Sequence, residues 1–332
     1  MVLAAGFGAL LLGAGVLLFV SSHWDALAPA TRFTLVLALV ALFHVGGAVT
    51  AERTPTLAAA LHLVGTVSLG AGIYLSGQIF NMAEHWPTGV LLWAIGAWLA
   101  WFPLRHDTQL FCAALLTPAW CASEWLVVVQ RSRSGIWDSD PLLASGVALL
   151  ALAYFTVPTR RHAGRTVLVW LGAVALVPGL LFLVLTSSDR LSVPPVAASW
   201  LTVGTLLAVG GPMLVAFTHR GRDAWINGVA TAWVAMLLWL STFRDALIQH
   251  GWWAIGALGL VAWGVRERRS ERINIGAAIF GITVLAFYFS RVMDKLGRSA
   301  SLVGLGLLFL AGGGALERTR RRLVQSANED RP

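Results

Sequence analysis

A succession of long apolar runs separated by short polar gaps limits most strongly what this chain can fold into. A helix needs about 20 apolar residues to cross the hydrocarbon core of a bilayer, and runs of about 16–24 residues recur along the whole sequence. We read twelve of them as candidate membrane spans: 2–20, 33–50, 57–80, 90–104, 110–129, 141–157, 167–186, 196–217, 226–241, 251–265, 275–290 and 301–316. The runs 90–104 and 251–265 are short, so the alternative is ten or eleven true spans, with one pair forming a re-entrant or strongly mismatched element. The pattern predicts an all-α, polytopic transmembrane helix bundle.

Composition supports the same class. Of the 332 residues, 57% are hydrophobic and 12% are charged, and the mean hydropathy is +0.74. A soluble domain carries about 25% charged residues, whereas lipid accepts helices that are apolar on all sides. The gaps between the runs are about a dozen residues or shorter, too short to fold by themselves. We therefore expect one polytopic membrane domain over 1–316, a basic cytoplasmic tail over 317–332, and no soluble domain.

The basic residues predict the orientation. The chain has 24 Lys and Arg against 16 Asp and Glu, a net charge of +8, and all but one of the basic residues are Arg. They lie in short gaps and form no single patch with base-stacking aromatic residues, so we expect no nucleic-acid partner. With twelve spans, sixteen basic residues fall on the side that holds both termini and eight on the other. This bias predicts cytoplasmic termini, and anionic lipid headgroups as partners of the Arg-rich loops and tail.

Polar residues at the predicted outer surface suggest a pocket. The segments SSHWD (21–25) and GQIFNMAEHWP (77–87) interrupt the apolar runs on that side. Glu124 lies inside the run 110–129, about six residues from its outer end and thus roughly 9 Å deep. A carboxylate at that depth has to be neutralised, paired or exposed to a wet cavity. We predict an outward-open pocket for a substrate or ion, built from His23, Asp25, Gln78, Asn81, Glu84, His85 and Glu124.

Two alternatives apply to these residues. The polar segments can serve only as caps and turns at helix ends. Histidines and carboxylates are also ligands for a divalent metal, but their spacing here matches no helical H-x-x-x-H or E-x-x-H pattern. We therefore predict neither a metal nor a cofactor.

Two further histidines lie inside apolar runs. His44 in the run 33–50 and His62 in the run 57–80 are each roughly 8–9 Å from the predicted cytoplasmic end of their helix. At equal depth on neighbouring helices, they can face each other. We keep two interpretations: a proton relay, and a hydrogen-bonded packing contact between helices, which is the more common use of such residues.

The sixteen Trp residues suit a membrane protein, because Trp prefers the headgroup zone, where both its ring and its N–H are accommodated. Trp24, Trp86 and Trp137 lie in gaps on the predicted outer side. We expect them to be interface anchors, with stacking against a ligand as the alternative.

No nucleophile elbow, zinc-protease, phosphate-loop or dinucleotide motif occurs in the sequence, so an enzyme is unsupported. The leading interpretation is transport of a small solute or lipid through the outward-facing pocket, favoured by the number of helices and the polar residues within them. The alternatives are a non-transporting subunit of a membrane or envelope complex, and an intramembrane enzyme for a lipid-linked substrate. The enzyme would need Asp25, Glu84 and Glu124 to converge.

Three segments in order carry a family resemblance: GFGALLLGAGVLLFVSSHWDAL, GAGIYLSGQIF and PTGVLLWAIGAWLAW. Over about residues 3–104 the chain resembles a bacterial family of multi-span membrane proteins catalogued as domain of unknown function 2157. The matching positions include Trp24, Asp25, Gly77, Gln78 and Trp93. The resemblance implies a bacterial cytoplasmic (inner) membrane location and carries over no activity.

Overall fold

The structure, a computed structural model, describes most of the helical part of the chain. It covers residues 28–79, 85–131, 140–158, 164–188, 196–241 and 246–289, with the single positions 7, 8, 11, 14, 15, 18, 306 and 314. Within these ranges every regular element is helical and no strand occurs. The predicted all-α class is confirmed for this part of the protein.

Eleven α-helices follow one another along the described ranges. They are α1 Pro29–Thr50, α2 Pro55–Ile79, α3 Pro87–Leu104, α4 Asp107–Gln130, α5 Pro141–Phe155, α6 Gly164–Ser188, α7 Ala198–Thr205, α8 Gly211–Arg220, α9 Trp225–Ser241, α10 Ala246–Arg266 and α11 Ser270–Phe287. A π-helical turn, Leu206–Gly210, joins α7 to α8, and a 3-10 turn, Gly221–Ala224, follows α8.

Local sequence explains several helix boundaries. The helices α1, α2, α3 and α5 all begin with proline, which costs no hydrogen bond in the first turn and has a φ angle suited to a helix. Before α5, Asp140 Oδ1 accepts the backbone N–H groups of Leu142 at 3.1 Å and Leu143 at 3.0 Å. This is the N-cap arrangement that satisfies the free donors at the start of a helix.

Seven helical stretches in the described ranges are long and apolar enough to cross a membrane. They are Pro29–Thr50, Pro55–Gly77, Pro87–Leu104, Asp107–Gln130, Thr166–Leu183, Ala198–Leu240 and Ser270–Phe287. Several of these helices keep large apolar side chains exposed, as helices that face lipid do. The protein is therefore a polytopic membrane protein.

The predicted number of twelve spans stays a prediction. The runs 2–20 and 301–316 lie almost entirely outside the described residues. The run 141–157 corresponds to α5, a helix of 15 residues, and the run 251–265 lies within α10, which is not among the seven stretches.

One apolar stretch is longer than a single span. Ala198–Leu240 has 43 residues, where the sequence predicted two spans. Gly221 separates α8 from α9 and has φ 58°, a left-handed conformation that suits glycine and ends a helix. The predicted break between the runs 196–217 and 226–241 therefore coincides with a turn.

The chain divides into two compact units. The first comprises residues 1–138, 150–176 and 194–221, and the second comprises 139–149, 177–193 and 222–332. In the first unit α1 packs against α2, α3 packs against α4, and α2 contacts both α3 and α4. Small and medium side chains fill the α3–α4 contact: Val90, Ala94, Ala97, Cys112, Ala113 and Leu116.

A proline within α4 is compensated by a neighbouring helix. Pro118 has no N–H to donate to the carbonyl of Ala114, one turn earlier. The hydroxyl of Tyr154 in α5 donates a hydrogen bond to that carbonyl at 3.0 Å. Lipid offers no hydrogen-bond donor, so a free backbone carbonyl in the membrane needs a donor from the protein itself. The hydrogen bond from Tyr154 also holds α4 against the end of α5.

In the second unit, α10 packs against α11 and contacts α9. Trp233 of α9 and Trp252 of α10 donate their indole N–H groups to each other's backbone carbonyls, at 3.1 and 3.0 Å. At the turn between α10 and α11, the buried Arg272 forms an ion pair with Glu267 and lies 5.2 Å from the ring of Trp263. These contacts satisfy polar groups that would be costly in an apolar surrounding.

Candidate functional site

Some of the predicted site residues lie within the described part of the structure, and others lie outside it. Outside the described residues lie His23, Trp24, Asp25, Asn81, Glu84 and Trp137. Gln78 lies in the last turn of α2, and its side chain is not among the described parts of the structure. The side chains of His44, His62, His85, Trp86 and Glu124 are described.

His85 and Glu124, two members of the predicted pocket, are in direct contact. His85 Nε2 lies 2.7 Å from Glu124 Oε2, although the two residues are 39 positions apart in sequence. His85 lies two residues before α3, and Glu124 lies in the second half of α4, so the antiparallel packing of these helices brings them together.

Glu124 has a second side-chain partner. The indole N–H of Trp120, one turn earlier in α4, donates to Glu124 Oε1 at 3.1 Å. Each carboxylate oxygen is therefore hydrogen-bonded to a different ring. The side chains of His85 and Glu124 are 39% and 37% exposed among the described residues. Trp86, predicted as an interface anchor, is 44% exposed next to this pair.

A histidine cluster lies near the opposite end of α4. His44 Nδ1 in α1 is 3.1 Å from His62 Nδ1 in α2, and the ring centroids are 5.4 Å apart. The centroid of the His62 ring also lies 5.7 Å from that of His106, the residue at the N-cap position of α4. We call His44, His62 and His106 the histidine cluster. His62 is only 2% exposed and lies between its two half-buried neighbours.

Glycines make room for the two bonded rings in a reciprocal way. A Cβ on Gly47 of α1 would lie 2.8–2.9 Å from three atoms of the His62 ring, and a Cβ on Gly65 of α2 would lie 2.8 Å from Cδ2 of His44. Each helix thus carries an H-x-x-G pattern, His44 with Gly47 and His62 with Gly65, in which the glycine accommodates the other helix's histidine. This repeated pattern is a sequence signal for the contact.

A buried amide lies beside the histidine cluster. Thr66, one turn after His62, donates its hydroxyl to Gln109 Oε1 at 2.7 Å, and Trp93 of α3 donates its indole N–H to the Thr66 carbonyl at 2.8 Å. Gln109 is fully buried, and its Nε2 has no hydrogen-bond partner among the described residues. These contacts connect α2, α3 and α4 through polar groups.

Sequence reasoning missed His106, Thr66 and Gln109. His106 and Gln109 lie in the polar segment between the predicted spans 90–104 and 110–129, which hydropathy marks only as a gap. The available signal was the spacing of three between them, because residues at i and i+3 share one face of a helix. Thr66 lies four residues after His62 and shares its face of α2 in the same way.

The hydrogen bond between His44 and His62 constrains their protonation. A bond between two ring nitrogens needs one N–H donor and one lone-pair acceptor, so at least one of the two imidazoles is neutral. His62 Nε2 is buried and has no hydrogen-bond partner in the described part of the chain. Among the described side chains, no three of His, Cys, Asp and Glu are arranged as metal ligands.

The two polar sites are distant from each other. Gln109 and Glu124 are fifteen residues apart on α4, about 22 Å along the helix axis. The His85–Glu124 pair and the histidine cluster are therefore separate sites near opposite ends of one helix.

Comparison with known proteins tests the resemblance. Comparison with curated proteins gives no match, and neither does comparison with solved structures. A family model described as "Predicted membrane protein (DUF2157)" matches residues 1–110. This range contains the whole histidine cluster and His85, and it ends before Glu124. The resemblance predicted over residues 3–104 is thus confirmed: the first third of the chain is similar to the predicted membrane proteins of the DUF2157 family.

Proposed function

We propose that the protein is a transporter of a small solute or a lipid, and that its substrate or coupling ion binds at a polar pocket that includes His85 and Glu124. The observation that carries this proposal is the 2.7 Å contact between these two side chains, each more than a third exposed, within a bundle of apolar helices. An ionisable pair in such surroundings is costly to keep and is most often functional.

The contacts of Glu124 favour a pocket over a simple cap. A capping carboxylate accepts backbone N–H groups at the start of a helix. Glu124 instead lies late in α4 and accepts hydrogen bonds from the rings of His85 and Trp120. A carboxylate that accepts hydrogen bonds from two rings can release one ring and bind a cation, or a hydrogen-bond donor of a solute, in its place.

The proposal includes a location and a topology. We place the protein in the bacterial cytoplasmic membrane, with both termini in the cytoplasm and the His85–Glu124 pair near the outer surface. The excess of basic residues on the side of the termini supports this orientation, and their Arg side chains would contact anionic headgroups.

A transport assay in proteoliposomes, with a broad panel of compounds, tests the proposal. Purified protein is reconstituted in liposomes that contain the pH-sensitive dye pyranine, and isotope-labelled amino acids, sugars and carboxylates are added outside. The label inside the vesicles measures uptake, and the dye reports any proton that moves with the compound. Fluorescent NBD-labelled lipids with external dithionite report lipid movement in a parallel sample. We expect at least one compound or lipid to move faster than in protein-free vesicles.

The variant Glu124→Gln removes the charge and keeps the shape of the side chain. We expect it to lower that movement by about ten-fold or more, since it removes a charged ligand or proton acceptor. The control is Glu52→Gln in the exposed turn after α1, which should transport like the wild type. A wild-type protein that moves nothing in the panel, or a Glu124→Gln variant with wild-type rates, would contradict the proposal.

A further inference from the structure

The histidine cluster has the geometry of a path for protons. Its middle ring, His62, is almost fully buried, and rings on two other elements approach it: His44 of α1 and His106 at the start of α4. We propose that His44, His62 and His106 form a chain of imidazoles that passes protons between α1 and the start of α4. This inference rests on the proposed transport function and names the proton as its coupling ion.

The Nδ1 to Nδ1 contact allows a proton to pass directly between two rings. In one tautomeric arrangement, His44 carries hydrogen on Nδ1 and donates it, while His62 accepts at Nδ1 and carries hydrogen on Nε2. In the other arrangement the two rings exchange roles. Since the nitrogens are 3.1 Å apart, the same bond serves both arrangements without movement of the helices.

The transfer of one proton conserves atoms and charge. A proton binds Nε2 of His44, and the Nδ1–H bond of His44 breaks as an N–H bond forms at Nδ1 of His62. The ring centroids of His62 and His106 are 5.7 Å apart and the two rings share no hydrogen bond, so the second transfer runs through a water molecule. The water accepts the Nε2 proton of His62 and gives one of its own protons to a ring nitrogen of His106. His44 and His62 end neutral, and the charge has moved to His106. The first two rings are left in their other tautomeric form. Transfer of a proton in the opposite direction restores their first form.

Packing alone explains this cluster poorly. A contact that only joins helices gains nothing from a buried nitrogen without a partner, because such a group costs free energy. His62 Nε2 is such a nitrogen in the described structure, and Gln109 Nε2, one turn after His106, is another. Both groups suit a site through which a proton or a water molecule passes.

The test combines proton flux with a direct view of the rings. Pyranine-loaded proteoliposomes report proton entry under a pH gradient, with and without the solute panel, for wild type and for His62→Gln. Glutamine keeps a polar side chain and cannot carry a proton between two nitrogens. We expect the flux to fall by about ten-fold or more, and His219→Gln, which changes a half-buried histidine of α8, to leave it unchanged.

Solid-state NMR of protein labelled with ¹⁵N-histidine in liposomes provides the second readout. We expect a scalar coupling between the Nδ1 atoms of His44 and His62 across their hydrogen bond. We also expect both nitrogens to exchange between protonated and unprotonated forms. Both signals should be lost in His44→Gln. One fixed tautomer without exchange, or wild-type flux in a folded His62→Gln variant, would overturn the chain. Flux that is lost in His62→Gln and kept in Glu124→Gln would instead refute the pocket at Glu124 and leave the chain standing.

Discussion

At the residue scale, two adjacent glycines in α1 have different roles. A Cβ on Gly46 would lie 3.7 Å from Leu61 Cδ1, an ordinary contact, whereas a Cβ on Gly47 would lie within 2.9 Å of three atoms of the His62 ring. Alanine is the better helix former, so sequence alone predicts that alanine stabilises both positions. The structure predicts that position 46 tolerates alanine and that position 47 does not.

We expect Gly47→Ala to destabilise the protein by about 1–3 kcal/mol, the usual cost of overpacking a tight contact. Gly46→Ala should be neutral or stabilising by up to about 1 kcal/mol. Thermal unfolding in detergent, followed by fluorescence-detected size exclusion, compares the two variants directly. Equal melting temperatures for both would show that His62 does not pack against Gly47.

At the element scale, a defect in one helix is repaired by the next. Pro118 leaves the Ala114 carbonyl of α4 without its helical donor, and Tyr154 of α5 supplies the missing hydrogen bond. A side-chain donor also joins α3 to α2, where Trp93 donates its indole N–H to the Thr66 carbonyl. Side-chain donors thus link neighbouring helices through polar groups that lipid cannot satisfy.

A double-mutant cycle measures the contact of Tyr154 with α4. Tyr154→Phe should cost about 1 kcal/mol in the wild-type background, the usual net value of one hydrogen bond. In a Pro118→Ala background the Ala114 carbonyl regains a helical N–H, so the same substitution should cost clearly less. Chemical unfolding in mixed micelles gives the four stabilities. Equal costs in the two backgrounds would show that the hydroxyl does not compensate for the proline.

At the scale of the whole molecule, the distribution of charge predicts the orientation in the membrane. The sixteen-to-eight distribution of basic residues predicts cytoplasmic termini and an outer position for the start of α3. Single cysteines at Thr88 and Ser326 test it, in a background where Cys112 and Cys121 are replaced by alanine. A membrane-impermeant thiol reagent on intact cells should modify the cysteine at position 88 and spare the one at 326. The reverse result would invert the topology.

Sequence alone determined the class of this protein and part of its local structure. The apolar runs suffice to predict an all-helical membrane protein. The prolines at helix starts and Asp140 before α5 set helix boundaries through contacts within a few residues. The equal depth of His44 and His62 followed from their distances to the turn between their helices. Their role in a relay, like the pocket at the outer surface, stays a prediction.

Only the tertiary structure decided which polar groups meet. Hydropathy cannot indicate the rotation of a helix that is apolar on all sides, because no face of it is marked for the core. His85 therefore meets Glu124, and His106 joins His62, only because tight packing at small residues sets the rotation of each helix against its neighbours.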